Sequence, residues 1–198
     1  MIIDNAIFII YRGLYLLFIK QCCMKILYHG TDKKFRNFNF SFAKPNKDFG
    51  KGFYLTSDLK QAIEWANIKN RSNHYVMAYE LDEELLKNLS IHELLCYNTE
   101  WLDYIVKCRI ESFEEKCDLV FDRIADSLRG EEIASLLRRY WIKDVSSEYV
   151  LEKIKWGSQN DQWCFKTSKA LSVLRLKSVL HSYINAKGKW ENKYEYAI

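Results

Sequence analysis

Alternation of hydrophobic and polar residues with a period of two marks the segments that we predict to be strands. The clearest is Lys25–His29, where Tyr28 and His29 would point to opposite faces and Gly30 permits a turn. We predict a strand, or an extended loop with half its face buried, over 35–42. Further strands are predicted over 53–56, 74–81, 91–97, 117–124, 161–166 and 176–183.

Apolar residues at three- and four-residue spacing predict helices in four other segments. Ser57 or Asp58 would cap the first helix, and Thr99 the second. Helices are predicted over 59–68, 99–108, 131–141 and 147–156, the last ended by Gly157, with a turn over 125–129 and short helical turns near 82–84 and 167–174. Strands and helices are mixed without regular βαβ spacing. We therefore predict an α+β domain built on a twisted, mainly antiparallel sheet.

Composition narrows the class of protein. A chain of 198 residues with 48% hydrophobic content can bury the core of one ordinary domain. Basic residues exceed acidic ones by only 30 − 26 = 4 and are scattered, which favours a solvated surface over a nucleic-acid groove. The six cysteines form no CxxC pair, which argues against structural zinc and a disulfide framework. We expect reduced thiols and a cytoplasmic protein.

The first 23 residues differ from the rest of the chain. They contain two apolar runs, AIFII and LYLLFI, and neither reaches the roughly 18 residues that a membrane span needs. No basic segment precedes them and no small-residue cleavage site follows. Because Met24 directly precedes the first predicted strand, we predict an N-terminal extension over 1–23 and a natural start at Met24. A short membrane-associating helix is the alternative, and 24–198 would form a single domain without a stable membrane span.

Common catalytic motifs are absent from the sequence. It contains no P-loop, no GxGxxG with a following acidic residue, no HExxH and no GxSxG, which argues against the usual triphosphatases, dehydrogenases, metalloproteases and lipases. Three residues remain as candidates: His29 at a strand end, Tyr54 after a Gly-Lys-Gly loop, and Gln162 on a late strand. Each alone is more often structural. Together, the His and the Tyr could hold the two ends of one small ligand.

This combination resembles the NAD-binding core of the ADP-ribosyltransferase superfamily, in its His-Tyr-Glu branch. The matching features are YHGT at 28–31, DFGKGFYLT at 48–56, and an aromatic residue, Trp65, eleven positions after Tyr54. The chain from 25 to 174 also resembles the DUF3990 family. The further blocks that carry this second resemblance are QAIEWA at 61–66, WLDYIVKCR at 101–109, DLVFDRIAD at 118–126 and DQWCFKTSKAL at 161–171.

The resemblance implies an NAD site. His29 would hydrogen-bond a ribose hydroxyl, and the backbone of Gly30 would pair with the nicotinamide carboxamide, where a side chain would take the ligand's place. Tyr54 and Trp65 would enclose the flat nicotinamide ring. The predicted cofactor-binding residues are His29, Gly30, Thr31, Gly52, Tyr54 and Trp65.

Two positions depart from the pattern. Gln162 stands where the branch has a glutamate, and loss of one preorganised charge can cost on the order of a hundredfold in rate. We therefore expect Gln162→Glu to raise NAD cleavage. The neighbouring Asp161 should point to the opposite face of its strand and act as a turn residue. Ala62 stands where eukaryotic poly-ADP-ribosylating relatives have a serine that binds the carboxamide.

The implied function is that of an NAD-utilising ADP-ribosyltransferase, with His29, Tyr54 and Gln162 as catalytic residues, NAD as substrate and no metal. The acceptor would be a protein or nucleic acid chosen by loops over 44–47 and 126–130. Such a protein could serve as a bacterial toxin or regulator, and its partner could be a small antitoxin protein. The alternative is a non-catalytic module that binds NAD or ADP-ribose. Arg109, Asp118 and Asp126 are predicted to form ion pairs or cap loops.

Overall fold

Two four-stranded sheets carry the fold in the computed structural model, which describes residues 24–69, 72–122, 131–154 and 161–196. Within these ranges the strands are β1 (Met24–Thr31), β2 (Phe53–Leu55), β3 (Asn73–Asp82), β4 (Ile91–Leu94), β5 (Leu119–Asp122), β6 (Gln162–Phe165), β7 (Leu174–Ile184) and β8 (Trp190–Tyr196). The helices are α1 (Leu59–Lys69), α2 (Thr99–Ile110), α3 (Glu131–Trp141), α4 (Ser147–Ile154) and the four-residue α5 (Ser168–Leu171), with 3-10 turns at Phe40–Phe42 and Glu83–Asn88.

The order of strands confirms the α+β prediction. The first sheet runs β1-β3-β7-β8 and is antiparallel throughout. The second runs β2-β6-β5-β4, and its β4–β5 pair is parallel. A β-bridge joins the sheets: the Tyr28 N–H donates to the Thr56 carbonyl oxygen at 2.7 Å, and the Thr56 N–H donates to the Tyr28 carbonyl oxygen at 3.0 Å. β1 and β2 therefore meet at the point where the sheets separate.

Three apolar clusters hold these layers together. The first, which we call the inter-sheet core, contains buried side chains from both sheets, among them Leu27, Met77, Leu81, Val179, Phe53, Phe121, Trp163 and Phe165. The second lies on the other face of the second sheet, under the α2 residues Trp101, Leu102 and Ile105. The third joins α1 to the first sheet through Ala62, Ala66 and Val76. Successive residues of β2 and β6 point into different clusters, as the period of two in a strand requires.

Some predicted elements differ from those observed. Of the two alternatives predicted for 35–42, the structure shows the loop, which ends in a 3-10 turn and packs Phe35 and Phe38 against the inter-sheet core. β8 was not predicted, because its side chains are almost all exposed and show no apolar face for a core. The cap of α2 is Asn98, whose side-chain oxygen accepts from the Trp101 N–H, rather than Thr99.

Several predictions lie outside the described residues. These are the N-terminal extension, the turn over 125–129 with Asp126, the loop over 126–130, and the helix stop at Gly157.

Candidate functional site

The imidazole of His29 is held at the junction of the two sheets. Its Nδ1 lies 2.8 Å from the Tyr54 carbonyl oxygen. Because a carbonyl only accepts, Nδ1 carries the proton in this contact. The ring also contacts Phe53, with centroids 4.7 Å apart, and Phe35 at 5.7 Å. The backbone of β2 therefore fixes the orientation of this side chain.

Tyr54 points to the other face of β2 and braces the preceding loop. Its hydroxyl donates to the Gly50 carbonyl at 2.7 Å and accepts from the Phe49 N–H at 3.0 Å. Its ring stacks on Phe49 with centroids 6.1 Å apart. Burial raises the pKa of Tyr54 well above its ordinary value, so the phenol remains a donor at neutral pH. The strands of His29 and Tyr54 are adjacent, but their two rings lie on opposite faces of β2.

Gln162 is the centre of a buried polar network. Extending the β2–β6 register by one residue places it beside Thr56, next to the bridge between the sheets. Its backbone N–H donates to Asp122 at 3.1 Å, and its Nε2 donates to the Asp48 carboxylate at 3.3 Å. Asp48 is also paired with the Arg109 guanidinium. The amide nitrogen of Gln162 is therefore directed at Asp48, which fixes the orientation of the carboxamide.

Asp122 extends this network to α2. Its second carboxylate oxygen accepts from the indole Nε1 of Trp101 at 3.1 Å, and Asp122 itself is fully buried. Two carboxylates, of Asp48 and Asp122, therefore flank Gln162 inside the protein. A buried carboxylate requires such donors, since it would otherwise lose its hydration without compensation.

Asp161 has a structural role, as predicted. One carboxylate oxygen accepts from the Ser57 N–H at 2.6 Å and from the Thr56 hydroxyl at 3.1 Å. The other accepts from the Trp163 indole at 2.9 Å, and Lys25 lies 3.7 Å away. The side chain thus organises the turn between β2 and α1.

Two glycines permit close packing at the site. A Cβ on Gly30 would stand 1.9 Å from the Ala62 carbonyl oxygen, so glycine is required here for α1 to approach β1. This packing reason differs from the one inferred from the sequence, which was space for a ligand. A Cβ on Gly52 would stand 2.2 Å from the Cys164 sulfur, so the second glycine lets β2 lie close to β6. Burial raises the pKa of Cys164 to about 12, so its thiol is no nucleophile at neutral pH.

The remaining predicted binding residues flank the end of β1. Thr31 is buried, and its hydroxyl accepts from the Lys33 N–H at 3.2 Å. Trp65 is half-buried on α1, three residues after Ala62. The structure therefore gathers His29, Gly30 and Thr31 at one strand end, with the helix that carries Trp65 packed against it.

Lys166, directly after the last residue of β6, binds the backbone of the glycine-rich loop. The Lys166 ammonium donates to the carbonyl oxygens of Phe49 at 2.7 Å and Lys51 at 3.2 Å, and to Glu114 at 3.0 Å. Its side chain is 5% exposed, so these three acceptors replace its lost hydration. The loop that precedes Tyr54 is thus held rigidly.

Four residues of these networks were not predicted as site residues from the sequence: Asp48, Trp101, Asp122 and Lys166. Each lies inside one of the sequence blocks quoted above, which was the available signal. Among the described residues, no group of three His, Cys, Asp or Glu side chains could hold a metal ion. In the same ranges, no helix has the length and apolar character needed to cross a bilayer.

A comparison with protein families gives a match to one sequence model over residues 25–176, which spans β1 to the start of β7. The chain belongs to the DUF3990 family. DUF3990 is described as a protein of unknown function. The DUF3990 match includes every candidate site residue, from His29 to Gln162, and ends before β8. No curated protein and no solved structure matches the chain.

Proposed function

We propose that this chain binds NAD where β1, β2 and β6 meet and cleaves its nicotinamide–ribose bond. The observation that carries the proposal is the adjacency of three strands bearing His29, Tyr54 and Gln162, linked by the 2.8 Å contact of His29 with the Tyr54 carbonyl. In the reaction, nicotinamide leaves with the bonding electron pair, and a nucleophile of a protein or nucleic acid forms the new bond to the ribose carbon.

His29 and Gln162 have complementary tasks in this proposal. Because Nδ1 of His29 is bound to the Tyr54 carbonyl, its Nε2 is the nitrogen that would accept from a ribose hydroxyl. Because Nε2 of Gln162 donates to Asp48, its Oε1 is the atom that would accept from the sugar. The negative charge that stabilises a developing oxocarbenium ion would then come from Asp48, one hydrogen bond behind the amide.

A second candidate function is a non-catalytic module that binds NAD or ADP-ribose. The observation that favours it is the ion pair between Asp48 and Arg109, which offsets the charge behind the uncharged Gln162. Such a pocket could still bind the ligand, but it would lack the negative charge that stabilises the oxocarbenium-like transition state of bond cleavage.

Calorimetric titration with NAD, together with chromatographic detection of released nicotinamide, separates these functions. The informative variant is His29→Ala. A Tyr54 variant would be harder to interpret, because the Tyr54 hydroxyl holds the backbone of Phe49 and Gly50 and its loss would disturb the fold. We expect the wild type to bind NAD and release nicotinamide, and His29→Ala to lose at least tenfold in release. The matched control is Tyr97→Phe, whose hydroxyl donates to the Leu151 carbonyl at 2.7 Å, away from the site. Binding without release would indicate the module, and no binding would refute both.

The acceptor can be identified with labelled NAD in a bacterial lysate. An NAD-consuming activity would act in the cytoplasm, and uncontrolled consumption or modification would slow growth. We propose that expression of the wild type, but not of His29→Ala, slows bacterial growth. If it does, co-expression of small proteins encoded next to the gene tests for an antitoxin partner. Normal growth with the wild type would argue against the toxin role.

A further inference from the structure

Gln61 carries a buried carboxamide that makes no hydrogen bond to any residue that the structure describes. It lies in the first turn of α1 and is 3% exposed. Neither its Nε2 nor its Oε1 has a hydrogen-bond partner among the residues that the structure describes. A buried amide without partners loses the hydrogen bonds that water supplied and gains none in return. Such a group points to a partner that is not part of the chain.

Helical spacing places Gln61 beside the candidate site. Ala62 and Ala66 form the stripe of α1 that packs on β1 next to Gly30. Ile63 lies on one flank of this stripe and packs in the cluster that contains Val76 of β3. At about 100° per residue, Gln61 lies on the opposite flank, on the same side as Trp65. Since β3 is on the Ile63 side, the flank of Gln61 faces the junction of β1 with β2.

We propose that Gln61 binds the carboxamide of nicotinamide; this inference rests on the proposed NAD function. Two primary amides pair through reciprocal N–H···O hydrogen bonds, so one ligand group satisfies both atoms of Gln61. The methyl group of Ala62 can supply neither bond. Gln61, one position earlier, therefore provides the polar contact, and Trp65 on the same flank lies four residues further along α1.

The chemistry of Gln61 calls for a partner that presents a donor and an acceptor side by side. A phosphate offers only acceptors and would leave Oε1 unpaired. In NAD the carboxamide and the edge of adenine both present such a pair, and titration with ADP-ribose separates them because ADP-ribose keeps the adenine and lacks the carboxamide. Recognition through a matched donor and acceptor also predicts rejection of nicotinic acid, whose carboxylate lacks the donor.

The test is calorimetric titration of the full chain with nicotinamide, nicotinic acid and ADP-ribose, for the wild type and Gln61→Met. We expect Gln61→Met to weaken nicotinamide binding at least tenfold and to change ADP-ribose affinity less than twofold. Its Tm should rise by about 2–4 °C, because methionine fills the space without an unpaired amide. The matched control is Lys60→Met on the exposed side of α1, which should change neither affinity nor Tm.

The outcomes are distinct. Unchanged nicotinamide affinity in Gln61→Met, or a lower Tm, would overturn the role of Gln61 while leaving NAD binding intact. A wild type that binds ADP-ribose but not nicotinamide would do the same. If Gln61→Met does not fold, the wild type still tests the inference, since it should prefer nicotinamide over nicotinic acid at least tenfold. A wild type that binds none of the ligands, nor NAD, would refute the proposed function together with this inference.

Discussion

At the scale of the residue, the surroundings of Gln162 explain why an uncharged amide suits this position. Its Nε2 donates to Asp48 at 3.3 Å, in a buried setting. A glutamate there would bring a second carboxylate against Asp48, and like charges at this distance disfavour each other's ionised form. The identity of residue 162 is thus tied to that of residue 48.

We predict that Gln162→Glu destabilises the protein by about 1–3 kcal/mol at pH 8, because Asp48 loses its donor and faces a like charge. The pKa of the new carboxyl would be raised in the folded state, so the loss should be smaller at pH 4, just below the ordinary glutamate pKa of about 4.3, where the group is mostly protonated in both states. Urea unfolding at the two pH values measures this. A Gln162→Glu protein as stable as the wild type at pH 8 would contradict the prediction.

The double variant Asp48→Asn/Gln162→Glu is the matched partner of that experiment. It exchanges amide and carboxylate across the same contact and should recover part of the lost stability. Full recovery is not expected, because Asp48→Asn also removes the carboxylate that is paired with Arg109 in the wild type. The sequence alone predicted that Gln162→Glu raises NAD cleavage. Because the single variant places a like charge against Asp48, we now expect that gain in the double variant instead.

At the scale of the element, Asp118 joins three segments at the start of β5. Its carboxylate accepts from the Thr167 hydroxyl at 2.6 Å, from the Ser90 N–H at 3.0 Å and from the Lys169 ammonium at 3.2 Å. These donors lower the pKa of Asp118, and the hydrogen bond from the Thr167 hydroxyl is the largest cause of that shift. The ion pairs of Arg109 and Asp118 confirm what the sequence predicted for both residues.

We predict that Asp118→Asn lowers the free energy of unfolding by about 1–2 kcal/mol at pH 7. A carboxyl whose folded pKa is depressed stabilises above its unfolded value of about 3.9, and the contribution disappears as the pH falls through the folded pKa. The difference between wild type and variant should therefore shrink as the pH falls below about 3.9. Denaturant unfolding across pH 3–7 checks this. Asp144→Asn, at an exposed pair with Arg139, is the control and should cost less than about 0.5 kcal/mol.

At the scale of the whole molecule, the two sheets share one apolar interior. The inter-sheet core takes Leu27 and Met77 from the first sheet and Phe53 and Trp163 from the second. The apolar side chains on the inner face of each sheet are buried only because they pack against the other sheet. The described part of the chain should therefore unfold as one cooperative unit, and the site at the β1–β2 junction should be lost with it.

We predict that Leu27→Ala, at a fully buried position, lowers the free energy of unfolding by about 2–5 kcal/mol. Because both sheets depend on this core, far-UV and near-UV circular dichroism should report one coincident transition. Leu85→Ala, at an exposed leucine, is the control and should cost far less. Separate transitions at the two wavelengths would show that the sheets unfold independently.

Short-range patterns were enough to predict most elements. The alternation in Lys25–His29 and the spacing in 59–68 depend only on neighbouring residues, and both elements form where expected. β8 was not predicted because an exposed edge strand needs no apolar face. It forms through backbone pairing with β7, which its own sequence pattern does not indicate. The motif around His29, Tyr54 and Gln162 could be found in the sequence, but the direction of each side chain could not.

Those directions depend on contacts between distant parts of the chain. Asp48 and Gln162 are 114 positions apart, and Thr56 and Asp161 are 105 apart. Which of these residues meet is set by the register of β2 on β6 and by the position of α2 on the second sheet, and a shift of one residue would turn each side chain to the other face. Local propensity therefore defined the strands and helices, whereas only the packed sheets decided that Gln162 faces Asp48 and that Gln61 is buried without a hydrogen-bond partner among the described residues.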